Sequence, residues 1–167
     1  MTHPSLGLPP ADTTAGLPAA ATRLRADRHR LARLALENTV RNVAGFDERY
    51  DEPALRLFLR DYEQHVEQFA RALETDRPAE LANYAEWLVP IYRRRRVPMN
   101  DFIALLAGLR QAVATTLSPD DNVVAAKLFD AWTARLRHHG RLAGDHKGNS
   151  IVRFFWKGAG IADDKWV

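Results

Sequence analysis

From Leu55 the apolar residues recur at steps of 4, 3, 4, 3 and 4, through Leu59, Tyr62, Val66, Phe69 and Leu73. That spacing sets side chains along one face of an α-helix. Arg60, Glu63, Glu67 and Arg71 fall on the other face. Just upstream, Asp51-Glu52-Pro53 provides an acidic first turn with a proline where no intrahelical bond is lost. The pattern predicts an amphipathic helix resting on a core.

The same rhythm marks four more helices. Leu24, Leu31, Leu34, Val40 and Val43 predict one from Arg23 to near Gly45. Asp76-Arg77-Pro78 opens another, with Leu81, Tyr84, Leu88 and Ile91 facing inward. Pro90 within it predicts a kink or early end, because proline lacks an N–H and crowds the preceding turn. Val97-Pro98 marks a break, and Asn100 and Asp101 open a helix that buries Phe102, Leu105, Leu109, Val113 and Leu117. Ser118-Pro119-Asp120-Asp121 starts the fifth, with Val124, Leu128, Trp132 and Leu136 on its face and a stop near Gly140. The expected core is led by Leu59, Tyr62, Phe69, Trp87 or Leu88, Phe102, Leu109, Leu128 and Trp132.

The ends differ. Residues 1 to 19 hold Pro4, Pro9, Pro10 and Pro18 without an apolar period, and predict a flexible arm. Beyond Gly140 only Ile151 to Lys157, capped by Asn149 or Ser150, has helical character. No segment alternates as a strand does. The expectation is an all-α, single-domain, globin-like helical bundle: five main helices and a short C-terminal one over residues 20 to 157, then a tail from 158 to 167.

Composition narrows the chemistry. The 167 residues suit one domain. With 46% hydrophobic and 27% charged residues the chain lies in the globular range, not the disordered one. There is no cysteine, which excludes disulfides, thiolate metal sites and thiol nucleophiles. The net charge of +3, from 24 basic and 21 acidic residues, is too balanced for a surface that is wholly a polyanion footprint. No apolar run reaches the length of a membrane span, and the N-terminus lacks the features of a secretory signal. A cytoplasmic protein is expected.

No catalytic or cofactor motif stands out. A haem would need an axial ligand, and the nearest histidines are His65, His138 and His139. His65 lies beside Val66 and is read as a boundary or surface residue. His138 and His139 precede Gly140, where cations complement a helix C-terminus. The Glu-x-x-His pairs of a dinuclear bundle site, zinc hydrolase motifs and phosphate-binding loops are absent. Cofactors are expected to be none, and the chain is expected not to be an enzyme.

Two stretches remain as candidate sites. Arg93, Arg94, Arg95 and Arg96 form an unbroken run. Consecutive helical residues point 100° apart, so the four spread around a helix end where they complement its dipole; the alternative is an anion grip for a phosphate, a nucleic acid or an acidic partner. The other is the tail, FFWKGAGIADDKWV, with Phe154, Phe155, Trp156, Ile161, Asp163, Asp164 and Trp166. Large aromatics among glycines mark an interface. Phe154 to Trp156 either fold back or dock elsewhere, and the stretch beyond Gly158 is read as a docking peptide for another protein.

The run ANYAEWLVPIYRRRRVPMNDFIALLAGLRQAV is similar to a pattern in the helical N-terminal domains of RsbR-type stressosome proteins and related bacterial regulators. There a helix ends in basic residues, a Val-Pro pair and a hydrophobic residue follow, and a long amphipathic helix begins. The similarity is strongest over residues 81 to 117. It implies a globin-like fold without haem, a possible homodimer, and a role as an input or interaction module. Such domains commonly precede a STAS or other output domain, whereas residues 141 to 167 are all that follow position 140 in this sequence. The expected function is that of a non-enzymatic regulatory or accessory module acting through protein contacts. Polyanion binding at Arg93 to Arg96 and small-ligand sensing without haem are the alternatives.

Overall fold

A computed structural model describes residues 15 to 142 as seven helices: α1 (Pro18–Ala26), α2 (Arg28–Asn42), α3 (Phe46–Arg49), α4 (Glu52–Thr75), α5 (Pro78–Arg94), α6 (Met99–Ala114) and α7 (Pro119–Leu142). Among the described residues there is no strand. Helix α1 packs on α4, α2 on both α4 and α6, and α7 on α5 and α6. The resulting single core centres on Tyr62, Phe69, Tyr92, Phe102, Phe129 and Trp132, all fully buried. Stacked pairs knit it together, with Tyr92 and Phe102 ring centroids 3.8 Å apart and those of Phe69 and Phe129 4.1 Å apart.

Two helix starts follow from their capping residues. Asp51 Oδ1 accepts a hydrogen bond from the Ala54 N–H at 2.9 Å, and Ser118 Oγ accepts from the Asp121 N–H at 3.1 Å. Each satisfies a donor that the helix itself cannot. The start of α6 differs from expectation, because Asp101 looks away from the helix end. Its carboxylate takes the Tyr50 hydroxyl at 2.6 Å and Arg49 at 3.1 Å, fastening the loop around α3.

The helix expected from Arg23 to Gly45 is two helices. It starts at Pro18, inside the stretch assigned to the arm, and breaks at Asp27, whose φ of −93° and ψ of 5° leave the helical region. The break lets α1 lie on α4 while α2 turns toward α6. Leu17 N–H donates to the Leu73 carbonyl at 2.8 Å. Gly16 is pressed so closely against the end of α4 that a Cβ would sit 1.9 Å from the Glu74 carbonyl oxygen. Residues 1 to 14, and the short helix expected over 151 to 157, lie outside the described residues.

Pro90 does not end its helix, since α5 continues to Arg94. The proline is on the exposed side, so the carbonyl it leaves unbonded can be served by water. One expected core position shifts by one residue, since Phe58 is buried where Leu59 is only half-buried; of Trp87 and Leu88, the buried one is Leu88, while Trp87 is 61% exposed. Full burial of a side chain of this size is worth roughly 1.5–3 kcal/mol, so the register matters to stability.

Candidate functional site

The seam between α4 and α5 holds the most polar part of the core. His65, expected at the surface, is 2% exposed. It belongs to an inward arc of α4 that runs Phe58, Tyr62, His65, Phe69 and Ala72, with the same 4-3-4-3 spacing as the stripe recognised from Leu55. Tyr84 and Tyr92 come from α5, two turns apart, and reach it from either side. His65 Nδ1 is 2.9 Å from the Tyr84 hydroxyl, and Nε2 is 3.0 Å from that of Tyr92. The rings of Phe102 and Trp132 close over it, with centroids 6.1 and 5.7 Å away.

Burial, reinforced by the charge of Arg95, pushes His65 down to about 3. The imidazole is therefore neutral, with one nitrogen donating and the other accepting. Asp61 stands close enough to add to the upward shift of the Tyr92 hydroxyl, whose hydrogen bond is with His65 Nε2. Each ring nitrogen faces a hydroxyl that can donate or accept, so one tyrosine donates to the ring and the other accepts from it. Burial raises both tyrosines above their ordinary range, with Asp61 adding to the effect. Asp61 is in turn paired with Arg95, whose guanidinium lies 5.8 Å from the centre of the Tyr92 ring. Tyr84, His65 and Tyr92 thus form one hydrogen-bonded line, with the Asp61–Arg95 pair beside its Tyr92 end.

Both ends of this arrangement reach the surface. Asp61 and Arg95 line a hollow of about 250 Å³ with Arg60, Glu63 and Gln64. At the other end Tyr84 lines one of about 500 Å³ with Gln68, Arg71, Glu80 and Asn83. A histidine held this far below neutrality is a poor base, and every polar side-chain atom of the line from Tyr84 to Tyr92 has a partner. Trp132 Nε1, buried beside His65, has none. Among the described residues no group of three or more His, Asp or Glu could hold a metal ion, and no helix is long and apolar enough to cross a membrane.

The outer side of α5 is the second region of interest. Helices α5 and α7 run side by side in the same direction: Tyr84 meets Trp132, Glu86 meets Arg135, and Arg93 meets His139. Their C-termini therefore share one end of the molecule. The arginine run does not converge there. Arg93 reaches α7, donating to the His139 carbonyl at 3.2 Å, while Arg95 reaches α4 to pair with Asp61. Arg96 has a φ of 59°, and the bond from Val97 N–H to the Tyr92 carbonyl at 3.0 Å closes the helix around it. Arg94 stays on the outer face, seven residues beyond Trp87, and both are exposed. The last turns of α7 add Arg137, His138 and Arg141, all exposed.

Trp87 is the residue that the sequence pattern missed. It stacks on Tyr84 with ring centroids 5.9 Å apart and planes 17° apart. The available signal was the buried series Leu81, Ala85, Leu88 and Tyr92, from which position 87 is rotated by about 100°. Phe154, Phe155, Trp156, Ile161, Asp163, Asp164 and Trp166 lie outside the described residues. No protein-family model, curated protein or solved structure matches the chain.

Proposed function

We propose that the chain is a non-enzymatic regulatory or accessory module that binds another protein through the outer face of α5, with Trp87 as the apolar anchor and the arginine-bearing end as its charged border. The observation that carries this reading is the exposure of Trp87. An indole left 61% exposed while Trp132 is completely buried has no role in the core, and tryptophan is enriched among the anchors of interfaces. Arg94 extends the same face, adding a charge that favours acidic partners. Nucleic-acid binding is less well supported, since Arg93 and Arg95 point to opposite sides of α5 and are engaged within the fold.

Tagged protein from native lysate should recover a stoichiometric partner protein. Trp87→Ala should lose that partner while keeping its thermal midpoint. Recovery undiminished by the substitution would remove the basis for placing the interface on α5.

A second reading, small-ligand sensing without haem, is favoured by one feature, the 500 Å³ hollow beside Tyr84. A polar ligand there could compete for the Tyr84 hydroxyl and be felt at Tyr92 through His65. A shift of the His65 ring nitrogens in NMR on adding candidate metabolites would distinguish sensing from protein docking.

A further inference from the structure

The outer face of α5 has an aromatic residue and arginines, and Trp87, stacked on Tyr84 of its own helix, remains 61% exposed. Three observations point to what covers it. First, α7 delivers the chain to this place: its last turn is held against the end of α5 by the contact from Arg93 to the His139 carbonyl, and Gly140 lies against Met99 at the start of α6, where a Cβ would be 3.3 Å from the Met99 side chain. Second, the chain beyond Leu142 is long enough. Residues 143 to 160 can extend roughly 60 Å at about 3.3 Å per residue, whereas Trp87 is only about 9 Å along the helix axis from Arg93. Third, the chemistry matches. The sequence Ile161-Ala162-Asp163-Asp164-Lys165-Trp166 combines two adjacent carboxylates with two large apolar side chains, and α5 presents an exposed indole beside exposed arginines.

The apolar hollow between α2 and α4 is the competing location. It is lined by Leu36, Val40 and Leu59 with Arg33, Glu37 and Arg41 on its rim. Its rim mixes both signs, and the contacts of the last turn of α7 through His139 and Gly140 go to α5 and α6, so neither charge nor chain exit favours it.

We propose that the segment 158–167, which lies outside the described residues, docks on the outer face of α5 of the same molecule, with Trp166 or Ile161 against Trp87 and Asp163 and Asp164 facing Arg94 and the neighbouring arginines. This inference rests on the reading of α5 as the binding face and names its occupant in the free protein. Tethering makes the contact intramolecular, at an effective concentration of about millimolar, so even a weak contact is populated. A partner must then displace the segment, and removing residues 158 to 167 should tighten partner binding.

The test uses the full chain and its lack of cysteine. A nitroxide is attached to Ala162→Cys, and the NMR signals of the ¹⁵N-labelled protein are compared with the label oxidised and reduced. The indole N–H of Trp87 and the amides of Arg94 to Val97 should lose most of their intensity, unchanged on dilution. Reversing the acids in the same molecule, Asp163→Lys with Asp164→Lys, should restore those signals. Broadening centred on Leu36, Val40 and Leu59, broadening that fades on dilution as contact with a second copy would, or no broadening overturns the proposal. So does broadening of α5 that survives the charge reversal. The partner-recovery experiment with Trp87→Ala does not depend on the segment, so failure of this inference and failure of the α5 interface are separable.

Discussion

The seam between α2 and α6 and the seam between α4 and α5 both bury polar side chains, and they do so in opposite ways. At the first, Gly108 lets two helices touch: a Cβ there would lie 2.1 Å from Thr39 Oγ1 and 2.5 Å from the Ala35 carbonyl oxygen. Each of its polar groups has a backbone carbonyl as partner, although the hydroxyls of Thr39 and of Tyr62 from α4 also lie 2.8 Å apart. Asn38 donates to the Gly108 carbonyl at 3.3 Å, Thr39 to that of Ala35 at 2.9 Å, and Tyr62 to that of Leu105 at 2.7 Å. At the second seam the polar groups bond to one another, from Tyr84 through His65 to Tyr92, and surface hollows flank the line. Backbone partners are fixed by the helices and lock a geometry. Side-chain partners can be exchanged, so the α4–α5 seam is the one whose state a ligand or partner at the surface can alter.

The largest expected effect tests the tight seam. Gly108→Leu should destabilise the protein by about 3 kcal/mol or more in urea unfolding, because the opposing atoms include backbone that cannot yield. A loss below about 1 kcal/mol would show that α2 and α6 can separate, and the contrast between the seams would collapse.

The next concerns His65. His65→Leu leaves the hydroxyls of Tyr84 and Tyr92 without their His65 partner, at a cost of about 1–3 kcal/mol. The same residue imposes a pH dependence of known sign. Its value in the folded protein is about 3, against 6.5 for an ordinary histidine, so between those pH values the unfolded chain binds the extra proton. Stability is complete above pH 6.5 and falls as the pH drops toward 3, by up to about 1.4 kcal/mol per unit. Carboxylates also titrate below pH 5, so the difference between wild type and His65→Leu isolates the effect. Parallel stability curves for the two proteins between pH 6.5 and 5 would mean that His65 is not buried neutral.

A finer test sharpens the direction of the polar chain. ¹⁵N chemical shifts of the His65 ring should show a neutral imidazole with one protonated nitrogen, and which nitrogen it is identifies the tyrosine that donates. Asp61→Asn removes the charge that pairs with Arg95 and should lower stability by about 1 kcal/mol. Both ring nitrogens protonated at neutral pH would mean that burial does not hold His65 neutral. The smallest effect is expected at the surface, where Trp87→Ala should change stability by less than about 0.5 kcal/mol. A larger loss would mean that Trp87 supports Tyr84 as part of the core.

The start of helix α4 and its stripe from Tyr62 to Leu73 were legible, because Asp51 caps locally and an apolar period needs no knowledge of neighbours. His65 sat on a recognisable spacing, yet its type argued for the surface; burial becomes tolerable only when Tyr84 and Tyr92 arrive from another helix to satisfy both nitrogens. The break at Asp27 was hidden because the residues around it have ordinary helical propensity, and what turns the chain is the demand that α1 reach α4. The arginine run predicts side chains that spread around a helix end, and Arg93 and Arg95 do part, since 100° per residue is a property of the helix itself. Its partners could not be read from sequence, because Asp61 and His139 are brought to it by packing.

The sequence by itself determined that this protein is helical, where most of its helices begin, and which faces are apolar, since caps, prolines and periodicity act within a few residues of one another. Only the tertiary structure decided that His65 is buried and neutral, that Trp87 is left outside, and that α5 and α7 end together. Those outcomes depend on which helices meet, and contacts between residues far apart in the chain are settled by the packing of the whole core.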